Sequence, residues 1–266
     1  TDFRVDQCSD LIFLMSFCVK TVVREPYGAN RGVVDHCDFD NPYKDDPDFT
    51  GGAGGEGRII WGYGITVVGT CYNWEDDIEN LLGKYEGLSN IVYIEDCNFS
   101  RTRHAVTSNS GGYYVVRHCK FTKPRPEHFE MIDVHGTSGL GGVGGRGLEA
   151  YNNEFYGCEY CWPEPTGQWV SFPFGLRGGG GVVFNNTIID CQYAVGLYED
   201  PDMQEKCKIK DLWIWNNVMT NESAPSSGTL INNAANFTEG VNYFLYEKSG
   251  YSPYPYPHPL TLEGTP

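Results

Sequence analysis

The sequence lacks long apolar runs, clusters of positive charge and extended helical patterns. A helix that crosses a bilayer needs about 18 consecutive apolar residues, and no stretch of the sequence approaches this length, so we expect no membrane span. Lysine and arginine total 19 against 35 acidic residues and form no run, which argues against nucleic acid as a partner. Helical periodicity is nearly absent, while 33 glycines and 18 tyrosines favour turn-rich β structure.

The sequence does contain an eight-residue pattern that occurs seven times. The intervals between its copies are 29, 60, 22, 34, 33 and 31 residues. An apolar residue stands three places before the centre in every copy, and another stands two places after it in six of the seven. A period near 30 residues predicts a solenoid of stacked rungs, in which the central residues form one inward column. The central residues are Cys8, Cys37, Cys97, Cys119, Asn153, Asn186 and Asn217.

These patterns predict an all-β protein, a parallel β-helix of about eight rungs that occupies residues 1–250. The stretch Asn73–Tyr85 is the only clear helical pattern, and we expect a helical insertion at 73–87 that lies on the solenoid. Tyr251–Pro259 has four prolines, which cannot donate to a strand ladder. Residues 251–266 are therefore predicted to be a cap over the final rung or a strap along its side.

Ten cysteines would ordinarily indicate disulfides in a secreted protein. Four of them occupy the inward column, where we expect buried thiols that pack as small hydrophobes. Cys158 and Cys191 each follow a central Asn by five residues, so they should lie on adjacent rungs and could form a disulfide. No signal peptide is visible at the start of the chain, and we expect a mature or trimmed form.

Several segments resemble rungs of right-handed parallel β-helix proteins of the pectate-lyase-like superfamily. The segments are VVDHCDF, YVVRHC, EAYNNEF and RGGGGVVFNNT. The chain as a whole is similar to secreted bacterial and archaeal β-helix proteins whose activity is largely undefined. This resemblance implies a right-handed solenoid located outside the cell or on its surface. It leaves the function open, since the scaffold carries lyases, hydrolases, tailspikes, adhesins and structural proteins.

One group of titratable residues could form a catalytic face. Asp133 and His135 are two residues apart on a predicted strand, so they share a face, and a carboxylate could orient the imidazole. Arg177 has a comparable place on the next rung. Such a face could abstract a proton from a sugar or bind an anionic glycan, with His104, Arg117 and Glu149 as further glycan contacts. The structural alternative is a polar ladder or salt-bridge stripe satisfied by its own rungs.

A second group is an aromatic column of Tyr151, Phe184 and Trp215, which we expect to be exposed. Exposed aromatic rings stack on sugars, so Tyr151 and Trp215 are candidate glycan contacts. The same rings could instead bury a flank of the solenoid or an interface. Asp45, Asp46 and Asp48 could hold calcium, or they could be solvated loop charge.

The sequence therefore predicts an extracellular structural or adhesive protein that contacts polysaccharide. The chain begins with a strand-like rung and shows no obvious N-terminal cap, so we expect end-to-end or lateral self-association. The alternative is a polysaccharide lyase or glycoside hydrolase that acts on an acidic glycan through Asp133, His135 and Arg177.

Overall fold

A computed structural model describes most of the repeat region and most of the chain that follows it. The described residues are 2–6, 17–20, 31–40, 64–68, 82–84, 91–102, 104–122, 130–136, 143–157, 172–220, 229–233 and 237–262.

The described residues form short strands, one short 3-10 helix and one short α-helix. In chain order the strands are β1 (Asp2–Asp6), β2 (Phe17–Lys20), β3 (Arg31–Asp35), β4 (Asp38–Asp40), β5 (Ile65–Val68), β6 (Ile91–Glu95), β7 (Asn98–Ser100), β8 (Val106–Asn109), β9 (Tyr113–Arg117), β10 (Lys120–Thr122), β11 (Glu130–Val134), β12 (Gly147–Tyr151), β13 (Glu154–Tyr156), β14 (Phe172–Leu176), β15 (Gly180–Phe184), β16 (Thr187–Ile189), β17 (Tyr193–Leu197), β18 (Leu212–Trp215), β19 (Val218–Thr220), β20 (Thr229–Asn233) and β21 (Tyr243–Phe244). The 3-10 helix spans Glu205–Cys207, and the α-helix is α1 (Pro259–Leu262).

The strands form three parallel sheets, which we name A, B and C. Sheet A has the order β1-β3-β6-β9-β12-β15-β18-β21, sheet B the order β4-β7-β10-β13-β16-β19, and sheet C the order β2-β5-β8-β11-β14-β17-β20. From β3 onward the chain visits A, B and C in turn. This confirms the predicted parallel β-solenoid, with about six to seven rungs rather than the eight predicted.

A sharp turn joins each strand of sheet A to the next strand of sheet B. The residue at this turn has a positive φ of 52–57° on six rungs. Asn, Asp and His tolerate this left-handed conformation better than most side chains. The turn residues are His36, Asp96, His118, Asn152, Asn185 and Asn216.

Next to this turn lies the inward column of cysteine and asparagine. Asn153 Nδ2 donates to Asn186 Oδ1 at 3.0 Å, and Asn186 Nδ2 donates to Asn217 Oδ1 at 2.8 Å. The thiols of Cys37, Cys97 and Cys119 are buried and donate to main-chain carbonyls. Buried polar groups thus have partners from rung to rung.

The core beside this column contains a stack of phenylalanines. Phe39, Phe99, Phe121 and Phe155 stack in sequence, with ring centroids 4.6–5.0 Å apart and interplanar angles of 4–8°. The stack occupies the predicted apolar position two residues after each centre, and it continues with Ile188.

Several sequence predictions lie outside the described residues. These are Cys8, Cys158, the acids Asp45, Asp46 and Asp48, and the helical insertion at 73–87 except for a turn at residues 82–84. Cys191 is buried, and its predicted disulfide with Cys158 stays a prediction because Cys158 lies outside the described residues. The Sγ of Cys191 donates to the carbonyl of Ile189 at 3.6 Å, and burial raises its pKa to about 12.

Candidate functional site

The outer face of sheet A carries a buried ion pair. Glu95 on β6 and Arg117 on β9 are register partners on adjacent rungs. Arg117 Nε donates to Glu95 Oε2 at 2.7 Å, and both side chains are fully buried. Burial alone would lower the pKa of Arg117, but Tyr151 and Glu95 raise it overall. Both charges are thus removed from water and satisfied by fixed partners.

The C-terminal segment, residues 251–262, covers this ion pair; we call it the strap. Arg117 Nη1 donates to the carbonyl of Tyr254 at 2.7 Å, and Nη2 donates to that of Pro255 at 2.8 Å. The backbone N–H of His258 donates to Glu95 Oε1 at 2.8 Å. The proline-rich segment therefore lies along the side of the solenoid, where its carbonyls need no strand partner.

A second buried carboxylate, Glu149 on β12, also binds the strap. Its Oε1 accepts from Tyr113 Oη and from the backbone N–H of Gly83, both at 2.7 Å. Its Oε2 accepts from Tyr251 Oη of the strap at 2.6 Å. Burial raises the pKa of Glu149, and these hydrogen bonds oppose that shift.

The aromatic column of sheet A is buried, so the expectation that it is exposed is wrong. Tyr151, Phe184 and Trp215 are 2%, 7% and 9% exposed and stack on one another. Tyr251 of the strap packs edge-on against Phe184 and Trp215. The cause is the strap, which covers the face that the rungs alone would leave open. A glycan contact by Arg117, Glu149, Tyr151 or Trp215 would require the strap to move.

The outer face of sheet C brings together two of the three predicted catalytic residues. His135 follows β11, and Arg177 follows β14 on the next rung. Arg177 Nη1 lies 3.5 Å from His135 Nδ1, while Arg177 Nη2 donates to Glu130 Oε1 at 2.7 Å. Asp133 is fully buried, and its Oδ2 accepts from Thr107 Oγ1 at 3.3 Å.

The electrostatic environment of His135 keeps its imidazole neutral. Burial lowers its pKa from the ordinary value, Asp133 opposes this, and Arg177 adds to it. At neutral pH the ring is therefore uncharged and able to accept a proton.

Glu130 was not among the residues that the sequence pattern singles out, yet it is central on this face. A Cβ at Gly175 would lie 2.9 Å from Glu130 Cβ, so the glycine makes room for the glutamate. Glu130 is the first residue of its strand, and no repeat position marks it. A sequence signal does exist in the acid at the start of EMIDVH, but only the folded structure shows that Arg177 donates to it.

Beside this cluster lies an aromatic shelf. Phe172 stacks on Tyr193 with centroids 4.4 Å apart, and the hydroxyls of Tyr193 and Tyr198 lie 2.8 Å apart. A Cβ at Gly196 would lie 2.8 Å from the Tyr198 ring, so this glycine gives the ring its place.

The outer face of sheet B is open to solvent. A groove of about 370 Å³ lies at its β4–β7–β10 end. Asn98 Nδ2 donates to Asp38 Oδ1 at 2.7 Å, and Arg101 binds Asp40 through two nitrogens. Lys120 Nζ lies 4.9 Å from the centre of the Tyr156 ring. The polar side chains that line the groove are Asp38, Asp40, Asn98, Ser100, Lys120 and Thr122.

Comparisons of the chain with protein-family models, with curated proteins and with solved structures give no match. Within the described residues, no helix has the length and apolar character needed to cross a membrane. The function must therefore be argued from the three outer faces of the solenoid.

Proposed function

We propose that this chain is an extracellular structural or adhesive β-solenoid, right-handed and pectate-lyase-like, that binds polysaccharide along the outer face of sheet B. The observation that carries this proposal is the polar groove at the β4–β7–β10 end of that sheet. Sheet A is covered by the strap, whereas the groove presents its side chains to solvent.

The groove has the chemistry that sugar hydroxyls require. Sugars offer both donors and acceptors, and the groove supplies carboxylates, an amide, hydroxyls and an ammonium group. Contacts along the strand ladder hold these groups in place, which reduces the entropy lost on binding. Repetition from rung to rung suits a polymer, because equivalent positions recur about every 4.8 Å.

The charge of the chain favours a neutral polysaccharide. The formal net charge is −16, so an anionic polymer would be repelled as it approaches. Within the groove, acids and bases are mixed, and Arg101 is already paired with Asp40.

The experiment is affinity electrophoresis of the full chain in gels that contain a neutral glucan, a neutral mannan or polygalacturonate. We expect retardation by a neutral polymer, and loss of most of it in Asn98→Ala and Lys120→Ala. Both side chains are exposed, so the substitutions should leave the fold intact. The matched control is Glu239→Ala, an exposed residue in the turn before β21. Unchanged mobility in every gel, or equal retardation of the groove variants and the control, would overturn the proposal.

A polysaccharide lyase or glycosidase is the second candidate. It is favoured by the convergence of Glu130, His135 and Arg177 on the outer face of sheet C, where Arg177 is 31% exposed. The measurement is release of new sugar ends from acidic and neutral polysaccharides by the wild type, His135→Ala and Arg177→Ala. Cleavage that persists unchanged in both variants would exclude this face as the active site. Self-association stays a prediction, to be measured by light scattering.

A further inference from the structure

Three titratable side chains converge beneath the surface of sheet C. His104 precedes β8, and Glu130 and Asp133 lie on β11. One ligand atom from each lies within 4.8 Å of the other two. The residues are 1%, 6% and 0% exposed, so the trio is shielded from bulk water. Arg177, whose side chain is 31% exposed, lies over Glu130, so the trio is one side chain below the surface.

Each member of the trio is oriented by a hydrogen bond from outside the set of ligand atoms. The ring Nδ1 of His104 lies 3.0 Å from the carbonyl oxygen of Glu130. A carbonyl only accepts, so Nδ1 carries the proton and Nε2 is the nitrogen with the lone pair. Thr107 Oγ1 donates to Asp133 Oδ2, and Arg177 Nη2 donates to Glu130 Oε1. Supporting contacts of this kind fix the ligands of protein metal sites.

An independent observation points to a missing partner at the same place. Among the residues that the structure describes, Asp133 Oδ1 is buried and has no hydrogen-bond partner. A buried carboxylate oxygen without a partner is strongly disfavoured, so its occurrence calls for a bound group. In the same column of sheet C, two rungs away, Thr66 Oγ1 is also buried without a hydrogen-bond partner in the part of the chain that the structure describes. The two buried oxygen atoms of this column that lack a hydrogen-bond partner therefore belong to the trio itself and to a neighbouring rung.

We propose that His104, Glu130 and Asp133 bind a divalent transition-metal ion. One imidazole nitrogen and two carboxylates match Zn²⁺, Co²⁺ or Fe²⁺, whereas calcium takes oxygen ligands. Ligands of such an ion lie at about 2.0–2.2 Å from it, so two ligands of a tetrahedral site are about 3.3–3.6 Å apart. The ligand atoms, which lie within 4.8 Å of one another, must therefore close by up to about 1.2–1.5 Å when the ion binds. Three protein ligands would leave a coordination position for water or for a substrate oxygen.

This proposal does not rest on polysaccharide binding at sheet B, which is a different face. It also assigns a role to Arg177 that differs from catalysis. By holding Glu130 Oε1, Arg177 acts as a positioning residue and leaves the other carboxylate oxygen for the ion.

The test is a titration of the full chain with Co²⁺ after treatment with a chelator. Cobalt is chosen because the chain has 10 cysteines, and a thiolate ligand would give an intense near-ultraviolet charge-transfer band. We expect one equivalent bound, visible absorption bands without the thiolate band, and a rise in melting temperature. The wild-type titration alone can overturn the proposal, either by showing no binding of Co²⁺ or by showing binding together with the thiolate band.

The variants locate the site. Asp133→Asn keeps the shape of the side chain and should weaken Co²⁺ binding at least about tenfold, as should His104→Gln. The matched control is His118→Gln, a histidine at the turn after β9 on another part of the solenoid. Circular dichroism of each variant checks that it is folded before the titration. If folded Asp133→Asn and His104→Gln both bind cobalt as tightly as the control, the assignment of the site is wrong.

Discussion

Arg117 and Glu95 form a fully buried ion pair on the outer face of sheet A, and the strap completes the partners of both side chains. Besides Glu95, the guanidinium donates to two strap carbonyls and to Tyr151 Oη, and the carboxylate accepts a strap N–H. The pair therefore joins two adjacent rungs to a segment 137 residues further along the chain. This arrangement makes the ion pair a docking point for the C-terminus.

Removing one member of this pair should be costly. We expect Arg117→Met to lower the free energy of unfolding by about 3–5 kcal/mol, because Glu95 stays buried without its partner. The double variant Glu95→Leu/Arg117→Met should lose less than the sum of the single variants, since it leaves neither charge unpaired. Urea unfolding of the four proteins measures this coupling.

The control for this cycle is an exposed pair, Glu205 and Lys208, in which Glu205 is 88% exposed. We expect Glu205→Ala to change the unfolding free energy by less than about 1 kcal/mol. Additive losses in the buried pair would show that Arg117 and Glu95 are not energetically coupled.

Deletion of the strap should expose the aromatic column. A chain that ends at Gly250 loses the contacts of Tyr251 with Phe184 and Trp215. Trp215 should then meet water, so its fluorescence emission should shift to the red and the melting temperature should fall. The control ends at Leu262 and keeps the strap. If the two truncated proteins have the same emission and melting temperature, the strap does not cover this face in solution.

The interior of each rung could be predicted from the sequence, because one side chain per rung repeats at one position. The pattern alone identifies Phe39 and Phe99 as stacking partners. It also identifies Asn185 as a turn residue. The outer faces could not be predicted in the same way. Trp215 lies in an outward column, and whether it meets water depends on Tyr251, which belongs to no repeat.

The catalytic and metal-binding candidates show the same limit. Glu130 and Arg177 are 47 residues apart, and their side chains meet although the register of β11 and β14 pairs Glu130 with Phe172. By contrast, the pair Glu95 and Arg117 had a sequence signal, since opposite charges occupy the same position in neighbouring copies of the repeat. A repeat pattern can thus predict contacts between copies but not contacts with the segments that cover them.

The asparagine ladder should be sensitive to loss of its amides. Asn186 Oδ1 accepts from the backbone N–H and the Nδ2 of Asn153, and Asn186 Nδ2 donates to the carbonyl of Ala150. Asn186→Leu is similar in size but leaves these groups unpaired, so we expect a loss of about 2–4 kcal/mol in unfolding free energy.

The matched control is the neighbouring turn residue, Asn185, which has a φ of 54°. Glycine adopts this conformation without strain, so Asn185→Gly should cost less than about 1 kcal/mol. Equal effects of the two substitutions in urea unfolding would contradict a specific role for the buried amide.

Glu149 should make the stability of the protein depend on pH. Its pKa in the folded chain is raised by burial, so the folded state binds its proton more tightly than the unfolded state does. Stability from this group is therefore fully present below the unfolded pKa, and it is lost as the pH rises through the folded pKa. In Glu149→Gln the pH-dependent contribution of this group should disappear. Glu149→Ala should be strongly destabilised at every pH, because Tyr113, Tyr251 and Gly83 lose their hydrogen-bond acceptor. Urea unfolding of the wild type and the two variants, measured from pH 4 upward in steps of about half a pH unit, tests both expectations. If the stability of Glu149→Gln depends on pH as that of the wild type does, other groups cause the dependence. The first of these to examine is the buried Glu95, whose pKa is also raised by burial, and the variant for that test is Glu95→Gln.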